Sequence, residues 1–258
     1  MLDVLKKTYW LMSAQFGIDL RRLVRSLLGI PRYIGDWLRF RKHYSGKMTF
    51  LPCLHDWSEE GGTARGEYFW QDLYIAQKIC KANPEKHVDI GSRVDGFAAH
   101  VASFREIEVF DIRPLTSIVP GMLFRQADLM NPVELPMDYC DSLSCLHALE
   151  HFGLGRYGDP IDPQGHVTGL RNMAKILKPG GTFYLSSPIG QARVEFNGQR
   201  VFDPRELVRL AAESGLDMRG FATVRLGDTV IEVSTPEIEI ETMANIPYAL
   251  GIFTFVKR

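Results

Sequence analysis

The sequence predicts the α/β class, with a mostly parallel sheet covered by helices on both faces. The segment 87–90 reads as a short buried strand that ends at Gly91 and leads into a stretch with apolar residues every three to four positions, as in a helix. Apolar runs and helical repeats then alternate along the chain, which is typical of a parallel sheet. A second apolar run ends in Asp111, where nucleotide-binding α/β domains place a ribose-binding acid.

The amino-acid composition excludes several classes of protein and of binding partner. The chain has 258 residues, of which 45% are hydrophobic and 24% charged, as in soluble globular proteins. The net charge of −1 and the lack of aromatics interleaved with basic residues exclude nucleic acid as an expected partner. No apolar stretch is long enough to span a membrane, and the four cysteines lack zinc-ligand spacing. We expect a cytoplasmic protein; the oligomeric state is open.

The sequence predicts three segments: a basic helical appendage (1–48), a loop and helix leading into the core (49–84), and the core domain (85–258). Residues 1–48 hold ten lysines and arginines against three acids. Asp19 is a predicted N-cap for a helix that Gly29 and Pro31 end, with a second helix after it. The basic face is either solvated, in peripheral contact with an anionic membrane, or bound to an anionic substrate. The following loop contains Gly61-Gly62.

The core pattern predicts seven strands, near 86–90, 106–111, 122–127, 138–147, 182–186, 221–224 and 251–256. It predicts helices near 68–81, 94–104, 165–177 and 204–214. Asn83-Pro84 ends the first helix, and Asp203 with Pro204 begins the last. Gly180-Gly181 forms a turn after the third helix. Phe104 is expected on the buried face of the second helix.

Several motifs recur in the order and spacing of one superfamily. They are Val88-Asp89-Ile90-Gly91, Asp111, Ala127-Asp128-Leu129, Leu149-Glu150-His151 and Leu177-Lys178-Pro179-Gly180-Gly181. From Val88 onward the chain resembles the class I S-adenosylmethionine-dependent methyltransferases. The resemblance implies a Rossmann-like methyltransferase fold with S-adenosylmethionine as the cofactor. The cofactor-binding residues that it implies are Asp89, Gly91, Ser92, Arg93, Asp111, Ile112, Asp128 and Leu129.

The first motif departs from the superfamily pattern, because Arg93 and Asp95 replace its second and third glycines. A dinucleotide site needs those glycines beside a pyrophosphate, whereas S-adenosylmethionine has no phosphate. Arg93 either pairs with the methionine carboxylate of the cofactor or points to solvent. If the altered turn no longer admits the cofactor, the chain is not an enzyme of this type.

The stretch 150–160, Glu-His-Phe-Gly-Leu-Gly-Arg-Tyr-Gly-Asp-Pro, resembles a narrower, uncharacterised methyltransferase-like group of unknown-function domains. Pro188-Ile189-Gly190 and Phe196-Asn197 resemble the same group. Bacterial members are associated with surface-polysaccharide biosynthesis. The resemblance therefore implies a sugar or glycolipid acceptor.

Methyl transfer to a hydroxyl requires a group that removes its proton, and histidine suits this role near neutral pH. His147 and His151 follow the fourth strand, at the ligand-binding edge of the sheet, and one of them is the predicted base. The other residues predicted to contact the acceptor are Glu150, Arg156, Tyr157, Asn197 and Arg200. The spacing of Glu150, Asp159, Asp162 and His166 matches no specific metal motif, so no metal site is predicted.

The favoured function is therefore methyl transfer to a hydroxyl of a small molecule or glycan. A second interpretation is a catalytically inactive, methyltransferase-like binding or scaffold protein, which the altered glycine motif favours. A third is a nicotinamide-dependent oxidoreductase, for which the central glycine is missing. Titration with each cofactor distinguishes the three.

Overall fold

The computed structural model of the chain describes residues 5, 8–59, 64, 66–131, 135–224 and 229–258. Within it the chain forms two compact units, Met1–Thr63 and Ala64–Arg258. Residues 1–4 and 6–7 of the predicted appendage, and the Gly61-Gly62 turn, lie outside the described residues. The division into segments 1–48, 49–84 and 85–258 stays a prediction.

The strands are β1 (His87–Ile90), β2 (Ile107–Asp111), β3 (Met122–Gln126), β4 (Cys140–Leu146), β5 (Leu177–Ile189), β6 (Arg193–Glu195), β7 (Gln199–Val201), β8 (Leu216–Val224), β9 (Val230–Glu232) and β10 (Ala249–Lys257). The α-helices are α1 (Leu20–Arg41), α2 (Glu67–Ala82), α3 (Ala99–Ala102), α4 (Gly165–Ile176), α5 (Pro204–Glu213) and α6 (Pro236–Met243). A π-helical turn, Val94–Ala98, precedes α3, and a 3-10 turn, Leu149–His151, follows β4.

The main sheet has the strand order β3-β2-β1-β4-β5-β10-β8-β9. Its first five strands are parallel, whereas β10 runs antiparallel to both of its neighbours, β5 and β8. The order 3-2-1-4-5 is that of nucleotide-binding Rossmann folds. The predicted Rossmann-like α/β fold with a mostly parallel sheet is thus confirmed.

Among the described residues, the sheet has one strand more than predicted. The extra strand, β9, is three residues long and largely exposed at the sheet edge, so it lacks the apolar run that identifies a buried strand. The short hairpin β6-β7 and helix α6 were also not predicted. The helix α6 mixes acidic and apolar residues without a clear apolar stripe.

Apolar residues cover both faces of the sheet. Leu170 and Met173 of α4, with Leu207 of α5, are fully buried in a cluster on one face. Ile79 of α2 and Phe97 are fully buried in a separate cluster on the other face. Burying one such side chain stabilises the fold by roughly 1.5–3 kcal/mol. Helices on both faces were predicted and are confirmed.

Local signals in the larger unit identify most element ends. The Asp203 carboxylate accepts a hydrogen bond from the Arg205 backbone amide, which confirms it as the N-cap of α5. Asn83 ends α2 in the left-handed conformation. The predicted turn at Gly180 lies inside β5: the glycine has φ +78°, and pairing with β4 shifts register beside it. Phe104 lies beyond the end of α3 and is exposed, contrary to prediction, because that helix ends at Ala102.

In the smaller unit, α1 is one continuous helix, and the predicted end at Gly29 and Pro31 is wrong. Proline removes one backbone hydrogen bond, and this 22-residue helix continues on both sides of it. Gly29 is required for close packing: a Cβ there would lie 1.7 Å from the Leu54 carbonyl oxygen. Asp19 is confirmed as the N-cap, since its carboxylate accepts from the amides of Arg21 and Arg22. Among the described helices, none is both long and apolar enough to cross a membrane.

Candidate active site

One cavity lies where the parallel strands β1 to β4 end. In a parallel sheet, the carboxyl ends of the strands share one edge, and ligands bind there. Residues at or within two positions of each strand end contribute to the cavity wall: Gly91, Asp111, Asp128 and His147. Of the other predicted site residues, Ile112, Leu129, His151 and Tyr157 also line the cavity. Asp89, Ser92, Arg93, Glu150, Arg156, Asn197 and Arg200 do not.

The turn after β1 needs glycine. Gly91 has φ +71°, and its amide donates to the Phe110 carbonyl at 2.8 Å. A Cβ on Gly91 would lie 3.0 Å from the Cβ of Ala148. Both the backbone conformation and the space therefore favour glycine.

Asp89 stabilises this turn and lies outside the cavity wall. Its fully buried carboxylate accepts from the Ser92 amide at 3.0 Å, the Ser92 hydroxyl at 2.8 Å and the Ser144 hydroxyl at 2.5 Å. Burial raises the pKa of Asp89 to about 7, although these hydrogen bonds oppose the rise. Asp89 and Ser92 hold the turn in place, and their predicted direct contact with a cofactor stays a prediction.

Arg93, two residues after Gly91, is exposed. Its guanidinium binds Asp95 through two nitrogens, at 3.0 and 2.7 Å. The side-chain hydrogen bond to Asp95 raises the pKa of Arg93, as expected for a charge held by an opposite charge. A contact between Arg93 and a cofactor carboxylate stays a prediction.

The acid at the end of β2 has a partner that no motif predicted. Arg113 contacts both carboxylate oxygens of Asp111, with its Nε 3.0 Å from Oδ1 and its Nη2 2.6 Å from Oδ2. The Arg113 guanidinium also lies over the Tyr157 ring, 4.4 Å from its centroid. A ligand that binds Asp111 must therefore share the carboxylate with Arg113 or displace it.

The turn after β3 adds an apolar wall. The Asp128 carboxylate accepts from the Met130 amide at 2.8 Å, and the Leu129 carbonyl accepts from the Asn172 side chain at 2.9 Å. Leu129 and Met130 both line the cavity, with Ile112 from the turn after β2. This wall offers a surface for a flat apolar group, beside a carboxylate.

His147 lies between two carboxylates. It has φ +52°, its Nδ1 donates to Glu150 Oε1 at 2.8 Å, and its Nε2 is 3.5 Å from Glu67 Oε2. The Tyr68 ring stacks on the imidazole at a centroid distance of 4.4 Å. Burial lowers the pKa of His147, but the two carboxylates outweigh burial and raise it to about 9. His147 is therefore a cation at neutral pH.

Glu150 lies behind the histidines rather than in the cavity. Its side chain is fully buried, and its Oε2 accepts a long hydrogen bond from the Ser187 hydroxyl at 3.4 Å. Burial raises the pKa of Glu150, but the bond to His147 outweighs burial, so the net shift is downward. The Glu150 side chain orients His147, and its predicted role in acceptor binding stays a prediction.

His151 has the opposite electrostatic character. Its Nδ1 is 2.8 Å from the Gly198 carbonyl oxygen, which only accepts, so Nδ1 carries the proton and Nε2 has a free lone pair. Burial lowers the pKa of His151, and the neighbouring Glu150 charge opposes this only in part. The imidazole is neutral at pH 7, and it lines the cavity.

The other residues predicted to contact the acceptor have different positions. Arg156 donates to the Gly198 carbonyl at 2.8 Å and so helps hold the carbonyl that orients His151. Arg200 is buried and donates to the backbone carbonyls of Glu150 and Phe152, at 3.3 and 2.6 Å. Its guanidinium thus binds the loop backbone, and the predicted acceptor contact of Arg200 stays a prediction. Asn197 is exposed and outside the cavity wall.

The carboxylate of Asp159 holds the glycine-rich loop after β4. It accepts from the amides of Gly153, Gly155 and Tyr157, at 2.8, 3.1 and 3.1 Å. These hydrogen bonds are those of an aspartate that stabilises a turn. The loop in turn places Tyr157 on the cavity wall, edge-on to His151 at 5.4 Å.

Sequence reasoning missed Glu67, Tyr68 and Arg113. The first two come from the start of α2, about eighty positions before His147 in the chain, so no local motif connects them. Tyr248 donates to Glu67 Oε2 at 2.7 Å and is also distant in sequence. Arg113 had a weak signal, since it lies two residues after the predicted ribose acid.

Comparisons with known proteins establish the fold. A family model described as Caenorhabditis protein of unknown function, DUF268, matches residues 121–241, just under half of the chain. No curated protein matches the sequence. The crystal structure of the cyclase SpnF is 12% identical, with a TM-score of 0.52, and the match covers 76% of this chain and 85% of that one.

Two further solved structures have lower scores. The N-methyltransferase NodS from Bradyrhizobium japonicum, in complex with S-adenosylhomocysteine, is 13% identical over 74% of this chain and 88% of its own, with a TM-score of 0.49. The 1,6-didemethyltoxoflavin N1-methyltransferase from Burkholderia thailandensis is 15% identical over 73% and 79%, with a TM-score of 0.46. At such identities a likeness shows the fold and not the reaction. The larger unit of this chain therefore has the fold that SpnF has.

Proposed function

We propose that this chain is an S-adenosylmethionine-dependent methyltransferase whose acceptor is a hydroxyl of a small molecule or glycan. The observation that carries the proposal is the cavity that joins Asp111 at the end of β2 to His147 and His151 after β4. The order of the superfamily motifs along the chain supports the cofactor. The stretch 150–160 supports a glycan acceptor, in surface-polysaccharide biosynthesis, by its resemblance to the narrower group.

The residues present fit this cofactor. A carboxylate at the position of Asp111 accepts hydrogen bonds from ribose hydroxyls. The apolar side chains of Ile112, Leu129 and Met130 suit a purine ring. His147 Nε2 is buried, lies 3.5 Å from Glu67 Oε2 and has no well-formed hydrogen bond among the described residues, which an oxygen of a bound molecule would supply.

When bound, S-adenosylmethionine supplies an electrophilic methyl group on a sulfonium. The chain must then bring the acceptor oxygen to it and remove the hydroxyl proton. His151 removes that proton, because its Nε2 lone pair can accept it while Nδ1 stays bonded to the Gly198 carbonyl. The nearby Glu150 carboxylate, 3.8 Å from His151 Nε2, stabilises the imidazolium that forms.

His147 has a different role. Because Glu150 and Glu67 keep it protonated, it has no lone pair with which to accept a proton. It acts instead as a fixed positive hydrogen-bond donor at the cavity wall. This assignment chooses between the two histidines that the sequence left equivalent.

The test is a transfer assay with S-adenosylmethionine radiolabelled on the methyl group, against nucleotide sugars, oligosaccharides, phenols and amines. We expect labelled product from a sugar or other hydroxyl acceptor. His151→Gln should lower kcat by about 10²–10⁴-fold. His100→Gln is the matched control, since His100 also contacts a backbone carbonyl through Nδ1 but lies outside the cavity. Transfer to amines alone, or a His151→Gln variant with more than a tenth of the activity, contradicts the proposal.

The pH profile separates the two histidines. With His151 as the base, kcat/KM falls only on the acid side, below pH 6.5, because the pKa of His151 is lowered. With His147 as the base, the fall would begin near pH 9, where that group loses its proton. If kcat/KM instead falls as pH drops below about 9, and a His147 variant no longer shows this fall, then His147 and not His151 is the base.

The second candidate is a methyltransferase-like binding or scaffold protein without activity. Two observations favour it: Asp111 is already paired with Arg113, and Arg93 with Asp95 replaces the glycines of the first motif. This candidate predicts that the folded protein binds neither S-adenosylmethionine nor S-adenosylhomocysteine.

A further inference from the structure

The helix α1 presents an apolar stripe to solvent. The stripe consists of Leu20, Leu23, Val24, Leu27, Ile34 and Leu38, each exposed by half or more. Their spacing of three, four and seven residues places them on one side of the helix. In a globular protein such a side normally faces a core. Here the described residues of its own unit leave it uncovered.

The opposite side of α1 holds the smaller unit together. Gly29, the buried glycine of this helix, packs on the backbone of Leu54. The Arg22 Nε lies 3.2 Å from the His55 ring. The helix thus packs through the side away from its apolar stripe, which leaves that stripe available for contact with another surface.

A row of arginines borders the apolar stripe. Arg21, Arg25, Arg32 and Arg39 follow one another at intervals of four and seven residues, so they lie along one flank of the helix. All four are exposed. The one acid in the α1 sequence, Asp36, lies between Arg32 and Arg39 and contacts both. The flank therefore keeps a net positive charge.

We propose that α1 docks in the plane of an anionic lipid surface. The apolar stripe would enter the boundary between headgroups and acyl chains, and the arginine flank would contact lipid phosphates through long side chains. Charge complementarity selects this occupant, because basic residues near an anionic leaflet are attracted to it. A second copy of the chain fits less well, since its α1 carries the same basic residues and offers no opposite charge to them.

The test is co-sedimentation of the full chain with vesicles. We compare phosphatidylcholine alone with phosphatidylcholine containing phosphatidylglycerol at about three lipids in ten. We expect binding to the anionic vesicles only, weakened as salt rises. Leu23→Gln with Leu27→Gln should weaken partition by about a hundredfold, and Arg25→Gln with Arg39→Gln by about twentyfold.

Matched control variants replace side chains of the same two kinds, one apolar and one basic, outside α1. Ile118→Gln and Arg219→Gln change an exposed apolar and an exposed basic residue of the larger unit, and should leave partition unchanged. Circular dichroism confirms that each variant is folded. No binding of the wild type to anionic vesicles overturns the proposal. Equal binding to both vesicle types also overturns it. A third contrary result is a dimer in analytical ultracentrifugation that Leu27→Gln dissociates while the variant still binds vesicles.

Discussion

The His147–Glu150 pair predicts a specific pH dependence of stability. The usual histidine pKa is 6.5, and in the folded chain that of His147 is raised to about 9. A raised histidine pKa stabilises the folded state fully below pH 6.5, and the stabilisation is lost as pH rises through about 9. At about 1.36 kcal/mol per pKa unit, the gap corresponds to roughly 3 kcal/mol of unfolding free energy.

Glu150→Gln isolates this contribution. The glutamine oxygen can still accept from His147 Nδ1, but the charge that holds the proton is gone. Glu150 itself is ionised in both the folded and the unfolded state above neutral pH, so its removal adds no slope of its own. The variant should lose more than half of the pH-dependent stability between pH 6.5 and 9.5, and Glu67 accounts for the remainder.

The assay is urea unfolding, followed by circular dichroism, of wild type and Glu150→Gln at several pH values across this range. Asp89, whose pKa is raised to about 7, contributes the same slope to both proteins and cancels in the difference. Equal slopes in the two proteins would refute a charged His147. So would an imidazole ¹⁵N spectrum that shows His147 neutral at pH 7.

Three further predictions follow from the site. Arg113→Gln should strengthen S-adenosylmethionine binding by a few-fold in calorimetry, because it frees the Asp111 carboxylate for a ribose. Gly91→Ala should destabilise the fold by about 1–3 kcal/mol in urea unfolding, since alanine is strained at φ +71° and its Cβ crowds Ala148. Arg200→Met should cost about 2–4 kcal/mol, because it leaves buried backbone carbonyls without donors.

Controls for these three variants are available in the same unit. Gly220→Ala adds a Cβ that meets only ordinary contacts at 3.6 Å, so it should change stability little. Arg219→Met removes an exposed arginine and should be near neutral. Weaker cofactor binding in Arg113→Gln would show that the guanidinium assists the ligand instead of competing with it. If Gly91→Ala or Arg200→Met has the same free energy of unfolding as its control variant, the structural reason given for that residue is wrong.

Much of the fold could be predicted because its signals are local. The end of β1 at Gly91, the cap at Asp203 and the end of α2 at Asn83 each depend on residues within one turn. The error at Pro31 has the opposite cause. A proline signals a helix end by its lost hydrogen bond, whereas the length of α1 and the close packing of Gly29 are tertiary properties.

The site was only partly predictable for the same reason. The residues at the strand ends, such as Asp111 and His147, follow from the topology of a parallel sheet. The partners that set their charge come from distant segments or from side-chain conformation. Glu67 reaches His147 from α2, and Arg113 turns back onto Asp111. Neither contact has a sequence pattern.

Calorimetric titration of the folded chain with S-adenosylmethionine and with S-adenosylhomocysteine tests whether the cavity binds a methyl-transfer cofactor. We expect micromolar binding of both, weakened about tenfold or more in Asp111→Asn, which loses the charge that binds the ribose. Binding of neither molecule by a protein with intact circular dichroism would contradict the methyltransferase proposal and favour the scaffold alternative. Binding that Asp111→Asn leaves unchanged would contradict the cofactor role of Asp111.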